Sequence, residues 1–308
     1  MFAYAIDFSP NRSIVRNMKN LLFAVTIGFC ISCAPAKKME VVKPELPQES
    51  SKYFPNEVKP AVSKPCFQGA YYRKLVSSVD HWVGISGTVV LPQITFDQTR
   101  QNPKKEQQFL DNPSIYLGGH VDGQETDIGL SWEVIKDEKG NISDARVAFR
   151  PFLRRASHKS GQQAVFLNGP ATKDYYWYPG EEVFMSIETV GKGLVKFVIE
   201  GAGKKYETTF ECAGYTLDGL GEFKRVNAID QMGNEGKPVQ PTTTKVSMGK
   251  WLHTDLLRYE KGKVVKTPFH DGRYTEMNCP QQQFFKVDAS VEEKSKGAEV
   301  VHISGSGF

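Results

Sequence analysis

The chain has 308 residues, 40% of them hydrophobic and 24% charged, and 39 basic against 35 acidic side chains leave a formal net charge of +4. Part of that excess lies in residues 1–32, so the remainder is close to neutral and a broad electrostatic surface for nucleic acid is excluded. Neither the five cysteines nor the six histidines have zinc-ligand spacing, which excludes a structural zinc module.

At the N-terminal side, Met18-Lys19-Asn20 precedes the apolar run LLFAVTIGFCIS and then Cys33-Ala34. A charged start, a short apolar stretch and a small residue at the cleavage point read as a signal peptide, too short and wrongly flanked for a spanning helix. Cys33 after Ile31-Ser32 resembles the lipobox of bacterial lipoproteins, with Cys30 where that family usually has Leu. The resemblance implies lipidation at Cys33 and a membrane-anchored protein on the bacterial cell surface or in the periplasm; an ordinary secretory signal is the alternative. If Met18 is the true start, residues 1–17 are an upstream extension.

Residues 33–64 are rich in Pro, Lys and Glu and nearly free of aliphatic periodicity. Such a segment buries too little apolar area to offset chain entropy, which predicts an extended tether ahead of a domain over residues 65–308. An exported chain with Cys66, Cys212 and Cys279 is expected to hold one disulfide and one remaining thiol, with all three pairings open. Three small buried cysteines without a bond are the alternative.

Strand signals dominate the domain: HWVGISGTVVLP, SIYLGGHV, DIGLSWEVI, ARVAFRPF, EEVFMSIETV, GLVKFVIEG and KKYETTFECAGY all alternate or are enriched in β-branched and aromatic residues. Turn clusters at 137–141, 191–193 and 201–203 separate them, and Glu181 to Cys212 reads as a meander. In its first strand Val183, Met185 and Ile187 share the packing face. The polar tract from Gln98 to Pro113 reads as a loop with a helical turn, and the end from Glu292 to Phe308 either frays or adds a strand in VVHIS. The pattern predicts an all-β fold, an antiparallel two-sheet sandwich of jelly-roll, concanavalin A-like type.

Trp177-Tyr178-Pro179 followed by EEVFMSIETVGKGLVKFVIEG resembles the WYP segment and following strands of the glutamic peptidases, which are sandwiches of this type. SIYLGGHVDG with TDIGLSWEV is similar in order to the segment carrying that family's catalytic glutamine, and GEFKRVNAIDQ falls where its catalytic glutamate lies. This chain has Asp127 in place of the glutamine, and Phe223-Lys224-Arg225-Val226 in place of a glutamate-bearing run, which leaves Glu222 as the nearest acid. An ionised Asp repels the oxyanion that a glutamine amide would hold, so the resemblance carries the fold further than the activity.

Glu125 and Asp127 alternate on one strand face about 7 Å apart, a spacing suited to acid/base work. Glu133 on the same alternation is about 20 Å from Asp127, too far to pair. Asp122, Glu125 and Asp127 also offer oxygens to a calcium ion, the possible cofactor, with a solvated hairpin turn as the alternative. His81 and His120 have no nucleophile beside them. Arg150, Arg154, Arg155 and Lys159 form a basic patch suited to an acidic polysaccharide, to phospholipid head groups or to a solvated, charged strand edge, and Pro241 to Lys245 reads as a turn or edge segment with exposed hydroxyls.

The run DYYWYPGEE, read as a strand, would put two of its rings in the core and two outside. Outward rings suit the C–H face of a pyranose, so Tyr176 and Tyr178, or in the reverse setting Trp177 and Tyr175, line the expected floor with Trp82, Tyr116, Trp132 and Trp251 as its other rings; two core rings and two that cap a sheet edge are the alternative. The leading expectation is a surface lipoprotein that binds an extracellular polysaccharide or glycan without cleaving it. A hydrolase of peptide or glycan bonds using Asp127 and Glu222 is the second, and a structural or adhesion protein with a protein partner the third.

Overall fold

The computed structural model describes residues 53–137, 139–156 and 161–308. The leader, Cys30, Cys33, the tether as far as residue 52, and His158 and Lys159 lie outside the described residues. In chain order the strands are β1 (Ala70–Ser77), β2 (Trp82–Val90), β3 (Gln93–Thr95), β4 (Asp111–Val121), β5 (Gln124–Lys136), β6 (Ile142–Arg155), β7 (Val165–Asn168) and β8 (Glu182–Gly191). They continue as β9 (Leu194–Gly201), β10 (Lys204–Glu211), β11 (Gly221–Gln231), β12 (Lys245–Glu260), β13 (Lys263–Pro268), β14 (Tyr274–Cys279), β15 (Phe285–Asp288) and β16 (Glu299–Ser304). A five-residue helix, α1 (Val291–Ser295), carries a Ser290–Glu293 capping box.

A seven-stranded sheet runs β14-β1-β11-β4-β5-β6-β7, and the second runs β10-β9-β8-β2-β12-β16-β15, with β3 and β13 added on β12. Both are antiparallel, and together they form a two-sheet sandwich. Alternation explains the core: Ile115 and Leu117 from β4, Ile128 and Leu130 from β5, and Phe223 from β11 meet Val183, Met185 and Ile187 from β8 and Phe197 from β9. The predicted packing face of β8 is therefore the one that is buried.

One part of the interior is ionic. Glu299 of β16 pairs with Arg73 of β1 at 2.7 Å and with Arg225 of β11, and all three side chains are buried. Burial opposes the Glu299 charge, but the two guanidinium groups outweigh it and hold the carboxyl below its usual range. Trp251 donates its indole N–H to Asn227 at 2.8 Å beside this cluster.

Several elements depart from the sequence reading. DYYWYPGEE is not a strand: Lys173–Tyr175 is a 3-10 turn and Trp177 makes a single bridge with Phe149, so alternation does not apply. Tyr176 and Trp177 are consequently both buried, although they are neighbours. The hydroxyls of Thr242 and Thr244 are not exposed; both point into the protein and donate to Asp111. The C-terminal stretch does not fray, because β16 is paired on both sides. The disulfide joins Cys66 to Cys279, and Cys212 is a buried free thiol.

The last part of the expected tether is docked rather than extended. Val58 bridges Val79, the Tyr53 hydroxyl donates to the Gly272 carbonyl, and Glu57 receives a two-pronged contact from Arg273 at 2.7 and 3.0 Å. Composition misses this because the segment is held by a few specific polar contacts and by one ring, Phe54 edge-on to Trp82 at 5.8 Å, and not by an apolar stripe. Burial works against the Glu57 charge, yet Arg273, the Ser78 hydroxyl and the Phe54 N–H together keep it below the usual carboxylate range. Because both side chains are almost fully buried, Glu57→Gln should cost about 3–5 kcal/mol by stranding the guanidinium. Urea unfolding will read the loss, and limited proteolysis will show cleavage between residues 53 and 64 that the wild type resists.

Candidate functional site

The candidate site lies on the outer face of the seven-stranded sheet. Register aligns outward residues there into rows that cross the strands. One row, from β14 to β7, reads Met277, Lys74, Val226, Tyr116, Gly129, Phe152, Asn168. Its neighbour reads Thr275, Val76, Lys224, Gly118, Asp127, Arg154, Phe166. A third holds Glu222, His120 and Glu125. Around Lys64, Lys74, His120, Glu125, Glu222 and Lys224 the surface sinks into a depression of about 200 Å³.

Two glycines make this packing possible. A Cβ at Gly118 would stand 2.4 Å from Asp127 Oδ1 and 2.7 Å from Lys224 Cε, so only glycine lets the two side chains meet across β4. A Cβ at Gly129 would stand 2.4 Å from Tyr116 Cβ. The Tyr116 ring accordingly reaches Phe152 edge-on at 5.7 Å, and Phe152 stacks on the exposed Phe166 at 6.1 Å.

The charged groups are tied together. Lys224 Nζ lies 2.7 Å from Asp127 and also pairs with Glu125; Arg154 reaches the other Asp127 oxygen at 3.0 Å; Lys64 pairs with Glu222. Burial pulls the Lys224 ammonium down, and the adjacent Asp127 and Glu125 carboxylates more than offset it, holding it above the usual lysine range. Burial, together with the negative charges of Asp127, Asp230 and Glu125, pushes the Tyr116 phenol well up.

Of the expected site residues, Tyr116, Glu125, Asp127 and Glu222 share this face. Asp127 and Glu222 sit on β5 and β11 with β4 between them and a two-residue offset, a Cα separation of roughly 12 Å. Each is met by its own cation, so they do not form a hydrogen-bonded acid dyad. Asp122 stands apart in the β4–β5 hairpin turn, where Asp122 and Gly123 both have positive φ, as a two-residue turn requires. Among the described residues no group of three or more His, Cys, Asp or Glu side chains is gathered as a metal would need.

The expected aromatic floor is largely corrected. Trp82, Tyr176 and Trp177 are fully buried, and so is Trp251; Trp132 packs inward against Phe96 and Phe109. Trp132 follows the inward alternation of Ile128 and Leu130, and Trp82 donates its indole N–H to the Ser78 carbonyl at 3.0 Å. Tyr178 remains partly exposed, but Arg146 and Lys204 lie over its ring at 4.6 and 4.8 Å, away from the depression. The basic patch is also engaged: Arg150 pairs with Glu133 at 3.0 Å, and Arg155 donates to the Gln163 carbonyl at 2.8 Å.

Lys64 and Lys74 were not legible as site residues. Lys74 had a signal, since in AYYRKLVS the residues Tyr71, Arg73 and Leu75 alternate with Tyr72, Lys74 and Val76. Lys64 had none, because its partner Glu222 is 158 residues away.

No family model and no curated protein matches the chain. Among solved structures it is similar to scytalido-glutamic peptidase with a peptide-based transition-state analogue, at 10% identity over 76% of this chain and 98% of that one, with a TM-score of 0.43. It is similar to SCP-B, a member of the eqolisin family of peptidases, at 10% identity over 76% and 98% with a TM-score of 0.39. For alginate lyase Aly36B the figures are 12% over 56% and 76%, with a TM-score of 0.25. At this level of similarity none of the three bears on chemistry.

Asp230, in a neighbouring part of the same face, accepts a hydrogen bond from Ser114 at 2.6 Å. Burial pushes its carboxyl up to about 6; the Ser114 hydroxyl opposes this, and Asp127 and Glu235 add to it. Between about pH 4 and 6 the folded protein keeps a proton that the unfolded chain has given up, so stability falls as pH rises through that window. Asp230→Asn should remove this fall: relative to wild type it gains about 2–3 kcal/mol between pH 4 and 6.5. Urea unfolding of both proteins across that range measures it.

Proposed function

We propose that the protein binds an extracellular carbohydrate, without cleaving it, on the outer face of the seven-stranded sheet. The observation that supports this most is the pairing of a partly exposed ring, Tyr116, with fixed charged groups, in which Asp127 and Glu125 are both held by Lys224. An aromatic face beside pre-positioned carboxylate and ammonium groups suits a sugar ring, whose C–H face packs on the π surface while its hydroxyls bond to the polar groups. Carboxylates already in ion pairs are acceptors, whereas acid catalysis needs a protonated carboxyl facing the scissile bond. This favours binding over the Asp127–Glu222 hydrolase.

Tyr116→Ala should weaken binding of the best ligand from a neutral and acidic polysaccharide panel about tenfold, from the loss of about 1–2 kcal/mol of ring contact. Calorimetry measures the affinity, and mass spectrometry of the same mixtures should find no shortened products. Release of oligosaccharides or peptides that disappears in Asp127→Asn would replace this reading with the hydrolase.

We further propose that the domain is anchored through a lipid on Cys33, a reading supported by the apolar run and Ser32-Cys33 sequence and by the Pro- and Lys-rich segment that follows. Metabolic labelling with palmitate should mark the wild-type chain and leave Cys33→Ser unlabelled and in the soluble fraction.

A further inference from the structure

Among the described residues, the charges that line the depression do not balance. Asp127 is met by Lys224 and Arg154, Glu125 by Lys224, and Glu222 by Lys64. Lys74 also lines the depression, and among the described residues it has no carboxylate within ion-pair distance; its ammonium lies over the Tyr72 ring at 5.3 Å. Among the described residues lining the depression the cations Lys64, Lys74 and Lys224 therefore stand against two carboxylates, Glu125 and Glu222, and Lys74 is the cation that meets neither.

We propose that the ligand of this face is a polyuronate, and that the Lys74 ammonium receives one of its carboxylates. The inference rests on the carbohydrate-binding reading and names the ligand class for it. Lys74 is half-buried, on the strand next to Lys224, so its charge is short of water and close to a like charge. Both effects pull its ammonium down, burial more than Lys224, with Asp127 and Glu125 opposing. A ligand carboxylate relieves both at once, and it does so where no protein carboxylate reaches.

Position fits the same ligand. Lys74 and Tyr116 lie in one row on either side of Val226, two strand spacings or about 10 Å apart. A chain laid across the strands puts one ring against Tyr116 and an acidic ring further along it at Lys74. The hydroxyls of that chain have the acceptor oxygens of Glu125 and Glu222 at the rim of the same depression. Those carboxylates repel a dianion such as a phosphate more strongly than a singly charged uronate.

The test compares polygalacturonate, alginate and hyaluronate with their carboxyl-reduced counterparts, by calorimetry on the full chain. At least one polyuronate should bind about tenfold tighter than its reduced form, as expected for one charge-assisted contact. Lys74→Gln should abolish that difference and flatten the salt dependence, while Lys74→Arg keeps both. Equal affinity for acidic and reduced forms overturns the inference and leaves carbohydrate binding intact, and this comparison needs no variant to fold. An unchanged preference in folded Lys74→Gln overturns it as well. If no member of either set binds, both the inference and the reading beneath it fall.

Discussion

Two cations side by side on a central strand set the electrostatic problem that the rest of this fold answers. In β11 Lys224 and Arg225 are consecutive, so strand alternation sends one to the outer face of the sheet and the other into the sandwich. Neither leaves its charge uncompensated. Arg225 is met inside by Glu299 from β16, which also holds Arg73 from β1, so an ionic clamp ties the two sheets together. Lys224 is met outside by Glu125 and Asp127 from β5. A buried ion pair gives little net stability, but losing either partner is expensive. The two clamps therefore help to fix register: a one-residue slip of β11 would turn Lys224 into the sandwich and Arg225 out of it, and break the pairs that each makes here.

The outer clamp also explains why β4 has glycine where it does. Lys224 and Asp127 are separated by a whole strand, and they meet only because Gly118 has no side chain between them. The same device one row away seats Tyr116 against β5 at Gly129. The face is thus a shallow surface in which long side chains lie across their neighbours. Its few polar groups are fixed by each other, which lowers the ordering cost of binding a ligand there.

Much of this architecture was legible because strand alternation is a local signal. The face of β8 formed by Val183, Met185 and Ile187, the sandwich itself and the outward pairing of Glu125 with Asp127 follow from alternation alone. The aromatic floor was not legible, because DYYWYPGEE has strand-like composition but folds as a 3-10 turn and a single bridge. Trp82 and Trp132 were hidden for other reasons: Trp132 lies on the inward parity of β5, whereas Trp82 is off the parity of Ile85 and Val89 and enters the core past an irregularity in the β2–β12 pairing. Partners distant in sequence were hidden as well, as with Lys64 and Glu222, or Glu57 and Arg273.

The docked segment before β1 gives the outer face its second boundary. It is held at Glu57 by Arg273, at Cys66 by Cys279 and at Lys64 by Glu222. The first two contacts anchor it to β14 and the turn before it, at the edge of the sheet, while the third brings a cation to β11, two strands further in. Without Lys64, Glu222 would stand beside Glu125 across His120 with no cation of its own, and the positive surplus of the depression would be gone. With Lys64 in place, the residual charge of the depression is positive and sits at Lys74. The segment that composition marks as a tether thus supplies the positive surplus that this depression offers to a ligand.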